Sequence, residues 1–116
     1  MSNLNQLHAA LRFCRREHSQ LRISQLELLL SAAVRPGQTQ TELAADCNLT
    51  LSAVSRAVDV LGTSGRRDAK SSARMAWIET KRNPDDDRLL QVFLTQSGRE
   101  FVSLIEAIIY GSPIQS

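Results

Sequence analysis

The sequence predicts a mainly helical domain that carries one small β-hairpin and is built around a helix-turn-helix at Thr39–Leu61. Three observations point there. Apolar residues recur at spacings of three and four through several separate stretches, as amphipathic helices require. The stretch TQTELAADCNLTLSAVSRAVDVL holds two helix-start signals on either side of one corner residue, Asn48. Trp77–Thr80 and Leu89–Leu94 are the only convincing strands, and Lys81–Arg88 between them is rich in turn formers.

The chain of 116 residues fits a single domain. Hydrophobic content is 42% but aromatic content only 4%, so the core must be aliphatic. The formal net charge of +2 is small and unevenly placed. Between Arg66 and Arg82, six basic residues (Arg66, Arg67, Lys70, Arg74, Lys81, Arg82) stand against Asp68 and Glu79. Such a local field suits a polyanion, while charge alone fits a solvated surface equally well.

Cys14 and Cys47 fall in separate predicted helices and form no CxxC. Neither stands at ligand spacing with His8 or His18, so no metal site and no cofactor is expected. Both read as reduced, small core residues, with a thiol switch between them as the alternative. No apolar run approaches the roughly 20 residues that span a bilayer. The N-terminal MSNLNQLHAALRF is not a signal peptide, and a cytoplasmic location is expected.

Taken in order, residues 3–18 form a first helix with Leu4, Leu7, Leu11 and Cys14 on one face. That stripe must pack on the body of the domain or on a second chain. Residues 24–34 form the next helix, with a capping box from Ser24 and Glu27. Its buried face is Leu26, Leu29, Leu30 and Ala33, widened by Leu28, and Pro36-Gly37 stops it. Thr39 and Glu42 cap the following short helix, whose inward positions are Leu43, Ala44 and Cys47. Asn48 tolerates positive φ and suits a sharp corner. Leu49 plugs the space between helices and Thr50 caps the next one. There Val54, Val58 and Leu61 make a single core stripe, whereas Ser52, Ala53, Ser55, Arg56 and Asp59 face away. A small polar face at a helix N-terminus can lie in a major groove, although an ordinary surface helix looks the same.

Leu61-Gly-Thr-Ser-Gly65 ends that helix, and the basic segment Arg66–Ala76 reads as a loop or an extension of the helix. The hairpin occupies residues 77–94. Thr95 then caps a last helix over 96–110, apolar on more than one face through Phe101, Val102, Leu104, Ile105, Ile108 and Ile109. A helix this apolar at the end of a small chain usually meets another subunit. A helix-turn-helix followed by a two-stranded hairpin is a winged helix.

From about Ile23 to Phe101 the chain resembles the MarR family of bacterial winged-helix regulators. Three blocks carry the resemblance: ISQLELLLSAAVRPGQTQTELAADCNL, TLSAVSRAVDVLGTSG and NPDDDRLLQVFLTQSGREF. The last is the most specific, with Asp86-x-Arg88 at the wing tip and Leu94-Thr95-x-x-Gly98 leading into the last helix. The chain departs from the pattern in having one C-terminal helix where relatives commonly have two. It also has extra residues between Gly65 and Trp77.

The resemblance implies a homodimer that binds double-stranded, pseudo-palindromic DNA and represses transcription. Ser52, Ala53, Ser55 and Arg56 would enter the major groove, flanked by Thr39 and Thr50 at the two helix starts. Arg88 would reach the minor groove or its phosphates, and Asp86 would orient it by a salt bridge. Lys81 and Arg82 of the wing, and Arg66, Arg67, Lys70 and Arg74 of the extra segment, would add phosphate contacts. The dimer interface would come from the first and last helices, through Leu4, Leu7, Leu11, Phe101, Leu104, Ile105, Ile108 and Ile109. No membrane partner is expected, and the sequence names no small-molecule effector.

Two other readings keep the fold. One is a replication, partition or other mobile-element accessory protein that binds DNA. The other is a protein-interaction module that binds none, against which the basic segment argues mildly. Enzyme function is not expected: no Ser/His/Asp or Cys/His set recurs, and there is no glycine-rich phosphate loop. The run Asp85-Asp86-Asp87 reads as a wing turn, with a metal site as its alternative.

Overall fold

The computed structural model describes residues 2–62 and 75–110. These form five helices and one antiparallel sheet: α1 Ser2–Glu17, α2 Ile23–Val34, β1 Gln38–Thr39, α3 Gln40–Cys47, α4 Leu51–Leu61, β2 Ile78–Asn83, β3 Asp86–Leu94 and α5 Gln96–Tyr110. The molecule is a winged helix-turn-helix, mainly α.

The core is aliphatic, as the composition requires. Leu28 and Leu29 of α2, Leu43 of α3, Val54 and Leu61 of α4, Ile78 of β2 and Val92 of β3 are fully buried. Three of the five aromatic residues, Phe13, Trp77 and Phe101, meet at the edge of this core, where α1, α5 and the start of the wing join. Trp77 stacks on Phe101 with centroids 4.1 Å apart, Phe13 lies against the same ring, and His18 meets both Trp77 and Phe101 edge-on.

Four local expectations change. The start of α2 lies before Ser24. The Arg22 backbone N–H donates to Gln25 Oε1 at 2.9 Å, and Ser24 sits inside the first turn. The buried positions are accordingly Gln25, Leu28, Leu29, Ser31 and Ala32, with Leu26 and Ala33 only partly covered. In α4, Ala57 joins Val54 and Leu61 in the core and Val58 is partly covered, since the stripe follows the 3.6-residue turn rather than a strict i+4 step. In α1, Ala10 and Cys14 enter the core while Leu4, Leu7 and Leu11 stay exposed.

The fourth change concerns the hairpin. Its strands take in most of Lys81–Arg88, leaving only Pro84 and Asp85 as the turn. Ile78 pairs with Leu94 and Arg82 with Leu90, and a bulge follows between Arg82 and Asn83. A third strand, β1, pairs Gln38 with Val92 and Thr39 with Gln91, so the sheet order is β1-β3-β2. Gly37, at φ +89°, turns the chain into β1, and its N–H donates to the Val92 carbonyl at 3.0 Å.

The wing is tied directly to the end of α4. The Met75 N–H donates to the Val60 carbonyl at 3.0 Å and the Trp77 N–H to the Leu61 carbonyl at 2.7 Å. Gly62 bridges Ile78 in parallel. The chain thus leaves the described region at Gly62 and rejoins it beside the same helix end. Two of the C-terminal carbonyls of α4 are satisfied there by wing backbone.

Candidate nucleic-acid interface

The two helices of the central motif are set by their caps. At the start of α3, Thr39 Oγ1 accepts from the Glu42 N–H at 3.2 Å and Glu42 Oε1 accepts from the Thr39 N–H at 2.9 Å. At its end Asn48 adopts the left-handed conformation, φ 56° and ψ 46°. The Leu49 N–H returns to the Ala44 carbonyl at 2.9 Å and the Asn48 N–H to that of Ala45 at 3.4 Å. This is a Schellman stop, with an apolar residue at its second outer position. Thr50 Oγ1 then accepts from the Ala53 N–H at 3.0 Å and opens α4. Both threonine hydroxyls accept from backbone N–H groups, which fixes each at its helix start.

With Val54, Ala57 and Leu61 turned inward, α4 presents Leu51, Ser52, Ser55, Arg56 and Asp59 to solvent, with Ala53 half-buried. Arg56 is the only long donor on that face, and no carboxylate among the described residues pairs with it.

A polar clamp that no sequence pattern signals holds α3 in place. Asp46 of α3 accepts from Ser31 Oγ of α2 at 2.5 Å and pairs with the Arg35 guanidinium. The buried Gln38 amide donates to the Ser31 carbonyl at 3.1 Å, to Ser31 Oγ at 3.0 Å and to the Arg35 carbonyl at 3.2 Å. Gln91 Nε2 reaches the Gly37 carbonyl at 2.9 Å, so the wing joins the clamp.

At the wing tip, Asn83 Oδ1 accepts from the N–H groups of Asp85 at 2.7 Å and Asp86 at 3.1 Å, an Asx turn around Pro84. The Asn83-Pro84-Asp85 sequence carries that signal, within the stretch whose turn formers mark the tip. Asp86 takes Arg88 Nε at 3.1 Å and Arg88 Nη2 at 3.2 Å, and also accepts the Arg88 N–H at 3.1 Å. The guanidinium foremost, then the backbone N–H, hold the Asp86 carboxyl below the usual carboxylate range. The arginine is thereby oriented yet stays 85% exposed. Arg82 donates to the Asp87 carbonyl at 2.8 Å, and Lys81 lies 3.7 Å from Glu79 and over the Phe93 ring. Among the described residues no group of three His, Cys, Asp or Glu is arranged to hold a metal ion. Asp85 and Asp86 are engaged in turn geometry.

Arg66, Arg67, Lys70 and Arg74 lie outside the described residues. Of the apolar residues expected at a subunit interface, Phe101 and Ile105 are buried within the chain's own core and Ile108 is partly covered. Their side of α5 packs on α1 and the aromatic cluster. Leu4, Leu7 and Leu11 of α1 and Leu104 and Ile109 of α5 are exposed. No described helix is long and apolar enough to cross a membrane.

No family model and no curated protein matches the sequence. Solved structures do match. RV1404 from Mycobacterium tuberculosis superposes with a TM-score of 0.69 at 19% identity, over 90% of this chain and 64% of that one. This chain therefore spans less than two thirds of RV1404. The S. aureus MepR–DNA complex gives a TM-score of 0.68 at 17% identity, over 92% of this chain and 78% of MepR. MarR gives 0.58 at 25% identity, over 96% and 77%. The fold is MarR-like, a winged helix-turn-helix that these structures share.

Proposed function

We propose that this chain is a sequence-specific, double-stranded DNA-binding transcriptional regulator. It acts in the cytoplasm as a homodimer and represses from a pseudo-palindromic operator. The observation that carries this reading is the pairing of two features on one rigid frame. The α4 face is mostly small and polar, with one arginine that has no acidic partner among the described residues, and the wing arginine Arg88 is aimed by Asp86. Phosphate contacts from Arg88, Lys81, Arg82 and the segment holding Arg66, Arg67, Lys70 and Arg74 supply affinity. Side chains of α4 supply discrimination. The structural likeness to MepR, solved as a complex with DNA, supports the DNA-binding reading.

The dimer rests on the exposed leucines of α1 together with Leu104 and Ile109 of α5. A two-fold axis between two such chains would space half-sites about one helical turn apart, roughly 10 base pairs. Selection of bound duplexes from random DNA, with the mass of the free protein in solution measured alongside, tests the reading. A palindrome bound by a dimer is expected. Enrichment of repeated, non-palindromic sites would favour a replication or partition role. No enrichment at any salt would sink the DNA-binding reading.

A further inference from the structure

The start of α4 holds a residue that the polar reading of that face leaves unexplained. Leu51 is its first residue and is 52% exposed, at the edge of the side that turns Val54 and Val58 toward the core, where Thr50 fixes the backbone. It is the only large apolar side chain so exposed on α3 or α4. Helix α4 packs mainly on α2 and α3, whereas α1 packs on α5, so Leu51 does not belong to the apolar α1–α5 surface. Ser55 lies one turn along from it, and Ser52 follows it in the chain.

We propose that Leu51 is a specificity-determining residue that packs on the 5-methyl group of a thymine in the major groove. The inference rests on the DNA-binding reading above. The chemistry is selective where that of its neighbours is not. Serine hydroxyls bond to either a donor or an acceptor edge, and Ser52 and Ser55 therefore discriminate weakly. The thymine methyl is the one apolar feature of the major-groove edge, and an aliphatic side chain reads it. The first residues of a recognition helix are those that meet base edges. Covering the Leu51 side chain on binding also removes the cost of holding it half in water.

Replacement of single thymines by deoxyuracil, which removes only the methyl, tests the contact. The selected operator is scanned in this way with the full-length protein and with Leu51→Ala and Leu51→Met. One thymine per half-site is expected to lose roughly four-fold affinity on substitution, the value of one buried methyl. Leu51→Ala abolishes that penalty and Leu51→Met keeps it, with thermal unfolding unchanged in both. An operator without a methyl-sensitive thymine, or a Leu51→Ala protein with the same penalty as the parent, overturns the assignment while leaving DNA binding intact. A parent chain that selects no sequence removes both readings together.

Discussion

The backbone carbonyl oxygen of Trp77 lies 2.1 Å from the point where a Cβ on Gly98 would stand. That contact couples the start of the wing to the first turn of α5. The Thr95 N–H donates to the same carbonyl at 2.9 Å. The Thr95 hydroxyl donates to the Ala76 carbonyl at 2.8 Å and accepts from the Gly98 N–H at 3.1 Å. The Thr95-x-x-Gly98 pattern is thus a joint between two elements, and the wing's position depends on a glycine where no side chain fits.

Gly98→Ala must push the wing or α5 aside, because the obstacle is backbone and has no rotamer to yield. A loss of at least about 2 kcal/mol is expected, at the upper side of overpacking. Urea denaturation of the purified variant checks it. A midpoint within error of the parent would show that the joint is looser than this geometry.

The corner between α3 and α4 makes a second stability prediction. Asn48 sits at φ 56°, where a β-branched side chain is disfavoured. Asn48→Val should cost about 1–2 kcal/mol and Asn48→Gly close to nothing. Equal losses in the two variants would point to the Asn48 side chain rather than its backbone.

The thiols give a chemical test. Burial pushes both Cys14 and Cys47 above the usual thiol range, and at Cys47 the Glu27 carboxylate adds to the effect. Because the thiolate is the reactive form, both should resist alkylation at pH 7–8 in the folded protein and label fully in denaturant. Fast labelling of either under native conditions would restore the thiol-switch alternative.

Much of this frame was legible because its signals are local. The Thr39–Glu42 box, the Asn48 corner and the Thr50 cap each depend on residues within a few positions of one another. The Ser24–Glu27 box failed for an instructive reason. The S-x-x-E pattern is permissive, and Gln25, one residue on, can cap the backbone of Arg22 instead and shift the helix start. The non-local features left no trace in any window. A two-residue strand has no alternation to detect, so β1 was invisible. The clamp of Ser31, Arg35, Gln38 and Asp46 joins three elements and emerges only when they pack. For the same reason Phe101 and Ile105 looked like interface residues. An apolar face cannot say whether its cover is the same chain or another.

The ion pair at the wing sets a pH expectation. The folded Asp86 carboxyl is held below its unfolded value, so its contribution is present above the unfolded pKa and is lost as pH falls through the folded one. Across pH 6–8 the pair stays intact and contributes no pH dependence to DNA binding. Arg88→Ala should weaken binding to most sequences and reduce the salt slope by about one per protomer. Asp86→Asn should weaken binding only where Arg88 is present. Additive losses in the double variant would separate the two residues.

Arg56 decides whether α4 reads bases. It is exposed, one turn past Ser52, and without an acidic partner among the described residues. A guanidinium in that position can meet the O6 and N7 of guanine with two parallel bonds, which no serine on the same face can imitate. If it does, Arg56→Ala should cost about 1–3 kcal/mol per half-site on the selected operator. Binding to random duplex would change little, and the preference for operator would fall roughly 5- to 150-fold for each half-site. If Arg56 instead holds a phosphate, operator and random DNA weaken together and the salt slope drops by about one per protomer. Titration of both duplexes at two salt concentrations separates these outcomes. An unchanged ratio of the two affinities would take Arg56 out of the readout and leave the outward face to Leu51 and the serines.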